Sequence, residues 1–273
     1  LLGGHSGMDI DKGRGNANKW MARIIWELMQ QQEIHLHAFD GGSLRNAIPR
    51  EALAILSCSD KALFETKLEA IVADLKNEYL NVEPHFEISA TAIACPEKAM
   101  STSDLKKIIQ TLCSVHNGVF RMSPAIEGLV EASSSLARVI IKDGVFATQS
   151  LQRSSVESTK REVSMALACA FENMGATVEQ SGDYPGWQPN MQSPILNTMT
   201  NLYRSLFHEE PKVKACHAGL ECGLLGEKLP GVDMISFGPN IRAAHSPDEK
   251  VQISSVQKFW QYFLASLQQI PNA

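Results

Sequence analysis

The chain has 273 residues, of which 44% are hydrophobic and 20% charged, and its formal net charge is −5. These values fit a globular protein of one or two domains, and an acidic chain without a basic run argues against nucleic acid or an anionic membrane surface as a partner. No apolar run approaches the length that a membrane-spanning helix needs.

The six cysteines have no paired spacing. This scatter is typical of reduced, buried thiols in a cytoplasmic protein rather than of a disulfide framework. We therefore expect a cytoplasmic location.

Residues 1–182 are predicted to form one antiparallel α+β domain. Apolar side chains recur every three or four residues over 16–32 and 60–79, as in amphipathic helices, and Asn16 or Asn18 could cap the first. Strands are predicted at 34–39, 52–58 and 86–94. With a strand ending at Leu1-Leu2, the order is β-α-β-β-α-β, the split βαβ sandwich with helices on one face of the sheet.

The rest of this domain is expected to repeat the plan, so that two sandwiches could be fused. Helices are predicted over 103–115, capped by Thr102 or Ser103, and over 156–174, stopped by Gly175. Strands at 130–141 and 145–151 are predicted to form a hairpin, because Asp143-Gly144 is a strong turn signal. A short strand at 177–180 would close the set.

Turn-forming residues at 182–189 predict a domain boundary. Beyond it, helices at 195–207 and 253–268 alternate with strands predicted at 213–216 and 233–237, which indicates a parallel sheet covered on both faces. The segment 183–273 is short for such a domain. It is expected to be the returning half of a larger α/β domain whose first half precedes Leu1.

His245 is a candidate metal ligand, because it follows the strand predicted at 233–237 and open α/β sheets bind ligands beyond the carboxyl ends of strands. No His-x-His, His-Glu-x-x-His or Cys-x-x-Cys cluster accompanies it, although catalytic zinc takes three protein ligands plus water. A structural role for a lone histidine stays open. His217 and Glu221 have helical spacing, but Gly219 lies between them, and a strand end with core cysteines is the favoured interpretation.

Four further residues are candidates for contacting an anionic ligand or an oxyanion. His5 lies in the turn Gly3-Gly4-His5-Ser6-Gly7. It is either an ordinary loop residue or a hydrogen-bond donor to an oxyanion that develops during a reaction. Asn46 and Arg153 are surface residues by default, yet an amide and a guanidinium both suit a carboxylate. If both face one cleft, they would bind the free C-terminus of a peptide. Gly219 would let a carboxylate approach the amides that open a helix.

Together these segments resemble the aminoacyl-histidine dipeptidases of the M20 family of zinc peptidases. The resemblance follows the family's order along the whole chain. It is carried by residues 3–10, 14–17, 45–50, 117–123, 183–187, 217–223 and the segment around His245. The chain looks like the C-terminal part of such an enzyme, with a lid domain over 1–182 and the end of the catalytic domain over 183–273.

The resemblance implies a function and a set of roles. Dipeptides with a C-terminal histidine would be hydrolysed at a site with two zinc ions, by a homodimer that forms through exposed lid strands. His245 resembles the last zinc ligand. His5 resembles a lid histidine that reaches an active site, often the partner subunit's, to stabilise the tetrahedral intermediate. Asn46, Arg153 and Gly219 resemble the residues that hold the substrate carboxylate.

Motifs for the other zinc ligands and for the glutamate general base do not occur in these 273 residues. We therefore expect the longer protein to be a dipeptidase and this piece alone to be inactive. Two alternatives stay open: a non-catalytic dimerisation or regulatory module derived from the family, and a family peptidase that acts on acylated amino acids or tripeptides. An upstream His-x-Asp strand end and Glu-Glu pair would favour the enzyme.

Overall fold

The computed structural model describes residues 1–215, 217, 221–242 and 249–270. They form two compact units. Unit 1 comprises Leu1–Asp183 and His217, and unit 2 comprises Tyr184–Ala215 and the described residues from Glu221 onward. That unit 1 is a lid and unit 2 the end of a catalytic domain stays a prediction. None of the described helices is long and apolar enough to cross a membrane.

Unit 1 is built on one five-stranded antiparallel sheet, with a separate two-stranded pair beside it. The pair is β1 (Gly4–His5) with β3 (Ala47–Ile48). The sheet contains β2 (Ile34–Gly41), β4 (Ala52–Cys58), β5 (Gly118–Met122), β6 (Val130–Lys142) and β7 (Val145–Ser154). The strand order is β4-β2-β6-β5, and β7 also pairs with β6. The predicted antiparallel α+β fold is therefore confirmed, with all strands of unit 1 except β1 and β3 in one sheet.

The helices of unit 1 are α1 (Ala17–Met29), α2 (Lys61–Glu78), α3 (Thr102–Ser114) and α4 (Glu157–Asn173), besides a short 3-10 turn at Ile10–Lys12. Helices α1, α3 and α4 pack on the sheet around a buried core that includes Ile25, Phe39, Ile109, Leu136 and Val163. A second core joins α2 to α1. The helix predictions are confirmed within one residue at each end, except that α1 ends three residues earlier than predicted, and Ser101 caps α3 in place of Thr102 or Ser103.

The predicted hairpin is confirmed, with β6 and β7 joined at Asp143 and Gly144. Both turn residues have positive φ, 52° and 79°, as a two-residue type I′ turn requires.

The strands predicted at 86–94 and 177–180 are wrong, and β5 was not predicted. Neither segment pairs with a strand among the described residues. Their apolar alternation reflects packing instead: Phe86 contacts Trp20 edge to face at 4.8 Å, and Val178 packs on the main core. Apolar periodicity alone does not distinguish a paired strand from an unpaired segment that packs on a core.

Asn16 both begins α1 and ties it to β6. Its Oδ1 accepts hydrogen bonds from the amides of Asn18 and Lys19, at 3.0 and 3.2 Å, which satisfies two amides that the first turn leaves without helical partners. Its Nδ2 donates to the carbonyl of Leu136 at 3.1 Å, and Asn18 Nδ2 donates to the same oxygen. Leu136 lies between the residues of β6 that pair with β5 and those that pair with β2, so these side-chain amides bond to its carbonyl where neither strand pairs with it.

Unit 2 contains α5 (Pro194–Phe207), α6 (Glu221–Lys228), β8 (Ile241–Arg242), β9 (Lys250–Val251) and α7 (Ile253–Leu267). Rings from α5 and α7 pack together, as Tyr203 and Tyr262 do at 5.4 Å. No residue of α7 is buried, and Trp260 is 56% exposed. The apolar surface of α7 is therefore largely uncovered by the described residues.

The parallel sheet predicted for unit 2 is not formed by the described residues. Residues 213–215 and 233–237 are not strands, and β8 and β9 make an antiparallel ladder. An extended segment becomes a strand only where a neighbour pairs with its backbone groups. The prediction of buried cysteines is also wrong for the five described thiols, which are free but exposed or half-buried.

Lys19 closes the C-terminal end of α3. Its Nζ donates to the carbonyls of Leu112, Cys113 and Val115 at 2.7, 2.6 and 2.9 Å. A cation is favoured at this end of a helix, where carbonyls have no helical partners. Burial lowers the pKa of the ammonium group.

We expect Lys19→Met to destabilise unit 1 by about 2 kcal/mol, because it leaves these carbonyls without their donor. Urea denaturation followed by circular dichroism measures the change. Lys106→Met, on an exposed position of the same helix, is the control and should change stability by less than about 0.5 kcal/mol. Equal losses in both variants would contradict the role of Lys19.

Candidate active site

The β1–β3 pairing holds His5 in a defined orientation, opposite Ala47. The ring nitrogen Nδ1 accepts hydrogen bonds from the amides of Gly7 and Met8, at 3.1 and 3.0 Å. A nitrogen that accepts hydrogen bonds cannot carry the proton, so the neutral ring carries it on Nε2. The turn therefore fixes His5 as an imidazole that presents an N–H donor.

Charged groups behind this turn hold its backbone. The amide of His5 donates to Asp9 Oδ2 at 2.8 Å, Lys12 pairs with the same carboxylate, and Arg14 donates to the carbonyl of Gly3. Burial raises the pKa of Asp9, but the Lys12 hydrogen bond, the His5 amide and the Arg14 charge outweigh it and lower the pKa overall. Asp9 thus stays an anion that anchors the backbone of His5.

Gly4 is required at this turn. Its φ is +148°, and a Cβ there would lie 2.4 Å from Arg14 Nη1 and 2.7 Å from Asp9 Oδ2. Any side chain would displace one member of the ion pair.

Arg153 lies at the end of β7, opposite Ser133 in β6, and is only 8% exposed. The default prediction of a surface position is therefore wrong. Gly7 is close to both Arg153 and His5: a Cβ on Gly7 would be 3.1 Å from His5 Cε1 and 3.3 Å from Arg153 Nε. The two side chains flank the same glycine, so the structure brings together two of the predicted site residues.

The backbone of Asn46 runs beside this turn. Its carbonyl accepts a hydrogen bond from the amide of Ser6 at 2.9 Å, and the residue is half-buried immediately before β3. Gly219 and His245, the other two predicted site residues, lie outside the described residues.

His217 joins the same cluster, although the sequence did not favour a functional role for it. The residue is 5% exposed, and its Nε2 lies 2.7 Å from Ser133 Oγ. Burial is the largest of the effects that lower its pKa to about 4; the charges of Arg153 and His5 act in the same direction, against that of Asp11. The imidazole is therefore neutral near pH 7. We call His5, Gly7, Ser133, Arg153 and His217 the donor cluster.

One signal in the sequence pointed to this cluster. Ser133, Ser134 and Ser135 follow one another in the middle of β6, and each is at most 1% exposed. Buried hydroxyls need hydrogen-bond partners, so three in a row within a strand predict polar side chains packed against it. The sequence does not say that the partner of Ser133 comes from residue 217.

The donor cluster suits an anionic ligand. An imidazole N–H and a guanidinium lie on either side of one glycine, and such groups bind a carboxylate or stabilise an oxyanion that develops during a reaction. Among the described residues, no group of three or more His, Cys, Asp or Glu side chains could hold a metal ion. The described part of the chain therefore does not by itself make a metal site.

The neutral state of His217 predicts a pH dependence of stability. The unfolded chain binds a proton on this ring below about pH 6.5, whereas the folded chain does so only near pH 4. The neutral ring of His217 contributes about 3 kcal/mol to the free energy of unfolding. This contribution is complete above pH 6.5 and is lost as the pH falls toward 4.

We therefore expect His217→Gln to reduce the loss of unfolding free energy between pH 7 and pH 4 relative to the wild type. Urea denaturation across this range measures it. His35→Gln, at a partly exposed histidine of β2, should keep the wild-type slope. A slope unchanged by His217→Gln would show that this ring does not stay neutral in the fold.

Comparisons with known proteins give the relationship of the chain. Residues 1–83 match the M20 family model described as "Peptidase dimerisation domain". The chain is 37% identical, over 99% of its length, to the cytosol non-specific dipeptidase of Escherichia coli (strain K12), and covers 56% of it. All of the chain matches the crystal structure of aminoacylhistidine dipeptidase from Vibrio alginolyticus, with a TM-score of 0.88 and 38% identity, again covering 56%.

The chain thus spans about half the length of these relatives. The resemblance and the mixed fold with antiparallel sheets that the sequence predicts are confirmed. Residues 1–83 thus match the peptidase dimerisation domain of the M20 family, and along its whole length the chain is similar to these two dipeptidases.

Proposed function

We propose that the protein to which these residues belong hydrolyses dipeptides with the help of a bound metal. The observation that carries this proposal is 37% identity to a dipeptidase over 99% of the chain. The donor cluster supports it, because peptide hydrolysis passes through an oxyanion and the substrate ends in a carboxylate.

In this proposal His5 donates Nε2–H to the oxyanion of the tetrahedral intermediate. Its two amide partners support the role, because they keep Nδ1 unprotonated and aim the remaining N–H away from the turn. The donor is in place before the reaction begins, which is what makes such groups effective.

Arg153 is proposed to bind the substrate carboxylate together with Asn46 and Gly219. A guanidinium matches a carboxylate with two parallel hydrogen bonds. Its burial strengthens such an interaction, because water screens it less. The half-buried position of Asn46 beside Ser6 is compatible with this role.

The metal is proposed to be zinc, two ions per site, with His245 as one ligand and the other ligands and the general base supplied by sequence outside these 273 residues. Bound zinc would supply the Lewis acidity that makes water reactive and polarises the peptide carbonyl. Residues 1–273 by themselves are then expected to be inactive.

The proposed substrates are dipeptides with a C-terminal histidine, such as β-alanyl-histidine, with tolerance for others. The names of the relatives motivate both parts of this statement, since one is called non-specific and the other an aminoacylhistidine dipeptidase. A cytoplasmic location is proposed on the same basis.

A homodimer that forms through unit 1 is also proposed. The match to a dimerisation domain covers α1, α2 and the strands β1 to β4. Strand β4 is at an edge of the sheet and exposes 63% of Leu53, so its backbone groups and an apolar side chain are available to a second copy.

Activity and metal removal test the function directly. The full-length protein should cleave β-alanyl-histidine and alanyl-glycine, lose this activity in a chelator, and regain it with Zn²⁺. Purified residues 1–273 should cleave neither. A metal-loaded full-length protein that leaves all dipeptides intact would refute the proposal, and turnover by residues 1–273 would refute the expected inactivity of the piece.

We expect His5→Gln to lower kcat about 100- to 1000-fold with little change in KM, because the lost hydrogen bond acts in the transition state. Steady-state kinetics of the full-length protein measure both constants. His35→Gln is the matched control and should retain wild-type kcat. A rise in KM at constant kcat would assign His5 to substrate binding instead.

Mixed dimers test whether His5 serves the partner's active site. His5→Ala and His245→Ala subunits, each inactive alone, are combined by unfolding and refolding together. Action across the interface predicts about a quarter of wild-type activity, since half of the dimers are mixed and each has one intact site. Action within one subunit predicts none.

A further inference from the structure

The roles proposed above leave one buried polar pair without a function. His217 and Ser133 lie 2.7 Å apart, Nε2 to Oγ, and are 5% and 1% exposed. The pair is inside unit 1 but joins residues 84 positions apart in sequence. Burying an imidazole and a hydroxyl is unfavourable unless they bond to each other or to other polar groups, so a pair retained in the interior needs an explanation.

The pair lies directly beside Arg153. Ser133 in β6 is the ladder partner of Arg153 in β7. Residues opposite each other in an antiparallel ladder project from the same face, with Cβ atoms about 5 Å apart. The hydroxyl that binds His217 is therefore a neighbour of the Arg153 side chain.

Electrostatics indicate the same proximity. After burial, the charge of Arg153 is the largest effect that lowers the pKa of His217, and that of His5 acts in the same sense. The result is a neutral ring beside a guanidinium. A neutral ring can pack there without repelling the cation, and its bulk occupies space that water would otherwise enter.

We propose that His217, held by Ser133, is a positioning residue that fixes the guanidinium of Arg153 for binding the substrate carboxylate. This inference rests on the proposed function and adds two residues to the site. An arginine side chain has many rotamers and loses that conformational freedom when it binds a ligand. A rigid neighbour removes part of that freedom in advance, which tightens binding without touching the scissile bond.

The test uses the full-length protein and three variants. His217→Leu keeps bulk but removes the bond to Ser133, and His217→Gln keeps a polar group near the position of Nε2. His37→Leu is the matched control, because His37 Nε2 also lies 3.0 Å from a serine hydroxyl, that of Ser57, in the same sheet but outside the donor cluster. Alanyl-histidine and its C-terminal amide are the probes: calorimetry gives Kd with the protein kept inactive by a chelator, and kinetics of the metal-loaded protein give KM and kcat.

His217→Leu should raise Kd and KM for alanyl-histidine about tenfold, with kcat changed less than about twofold. His217→Gln should recover most of the loss. Binding of the C-terminal amide should be the same in all proteins, because that probe has no carboxylate for Arg153. His37→Leu should match the wild type with both probes.

Three results would overturn the inference: an unchanged Kd in His217→Leu, an equal loss with the amide, or an equal loss in His37→Leu. If His217→Leu does not fold, Ser133→Ala replaces it, with an expected rise in Kd of about threefold. A wild-type protein that binds alanyl-histidine but does not cleave it would refute the proposed function alone, since the Kd comparison still decides the role of His217.

Discussion

Every strand of the five-stranded sheet except β4 is hydrogen-bonded to β6. Near its start β6 pairs with β5, near its end it pairs with β2, and β7 follows it for almost its whole length. Leu136 lies between the part of β6 that pairs with β5 and the part that pairs with β2, and there Asn16 and Asn18 donate to its carbonyl. Since Asn16 also caps α1, the helix layer and the sheet are joined at this gap in the pairing of β6.

The same strand connects the fold to the donor cluster. Ser133 lies three positions before Leu136. Its hydroxyl is hydrogen-bonded to His217, and its backbone is opposite Arg153 in the ladder. The cluster thus rests on regular secondary structure on one side and on the charged turn around His5 on the other. Groups supported in this way lose little entropy when a ligand binds, which is a condition for precise binding and catalysis.

Much of this could be predicted from the sequence because local signals agreed with the final structure. Asn16, Asp60 and Gly175 mark helix ends, and Asp143-Gly144 marks the hairpin, through interactions that lie within a few residues. The strands that failed, at 86–94 and 177–180, have the right alternation, but whether a neighbour pairs with them is decided by distant parts of the chain.

The site residues divide in the same way. His5 was recognised from its glycine-rich turn, which is local. The burial of Arg153 and the approach of His217 to Ser133 depend on pairings between residues 20 and 84 positions apart, and no local pattern encodes them. For Asn46, Gly219 and His245, side-chain chemistry and position suggested general candidate roles, and the resemblance to a family made those roles specific.

A side chain at Gly7 would meet both His5 and Arg153, because its Cβ would lie 3.1 Å from His5 Cε1 and 3.3 Å from Arg153 Nε. Both groups belong to one unit and flank one backbone atom, so any displacement of that unit carries them together. A substrate held at its carboxylate by one and at its reacting carbonyl by the other would meet both at a fixed spacing. The distance between the two side chains is then set within one unit. The length of peptide that fits between them does not depend on a displacement of that unit.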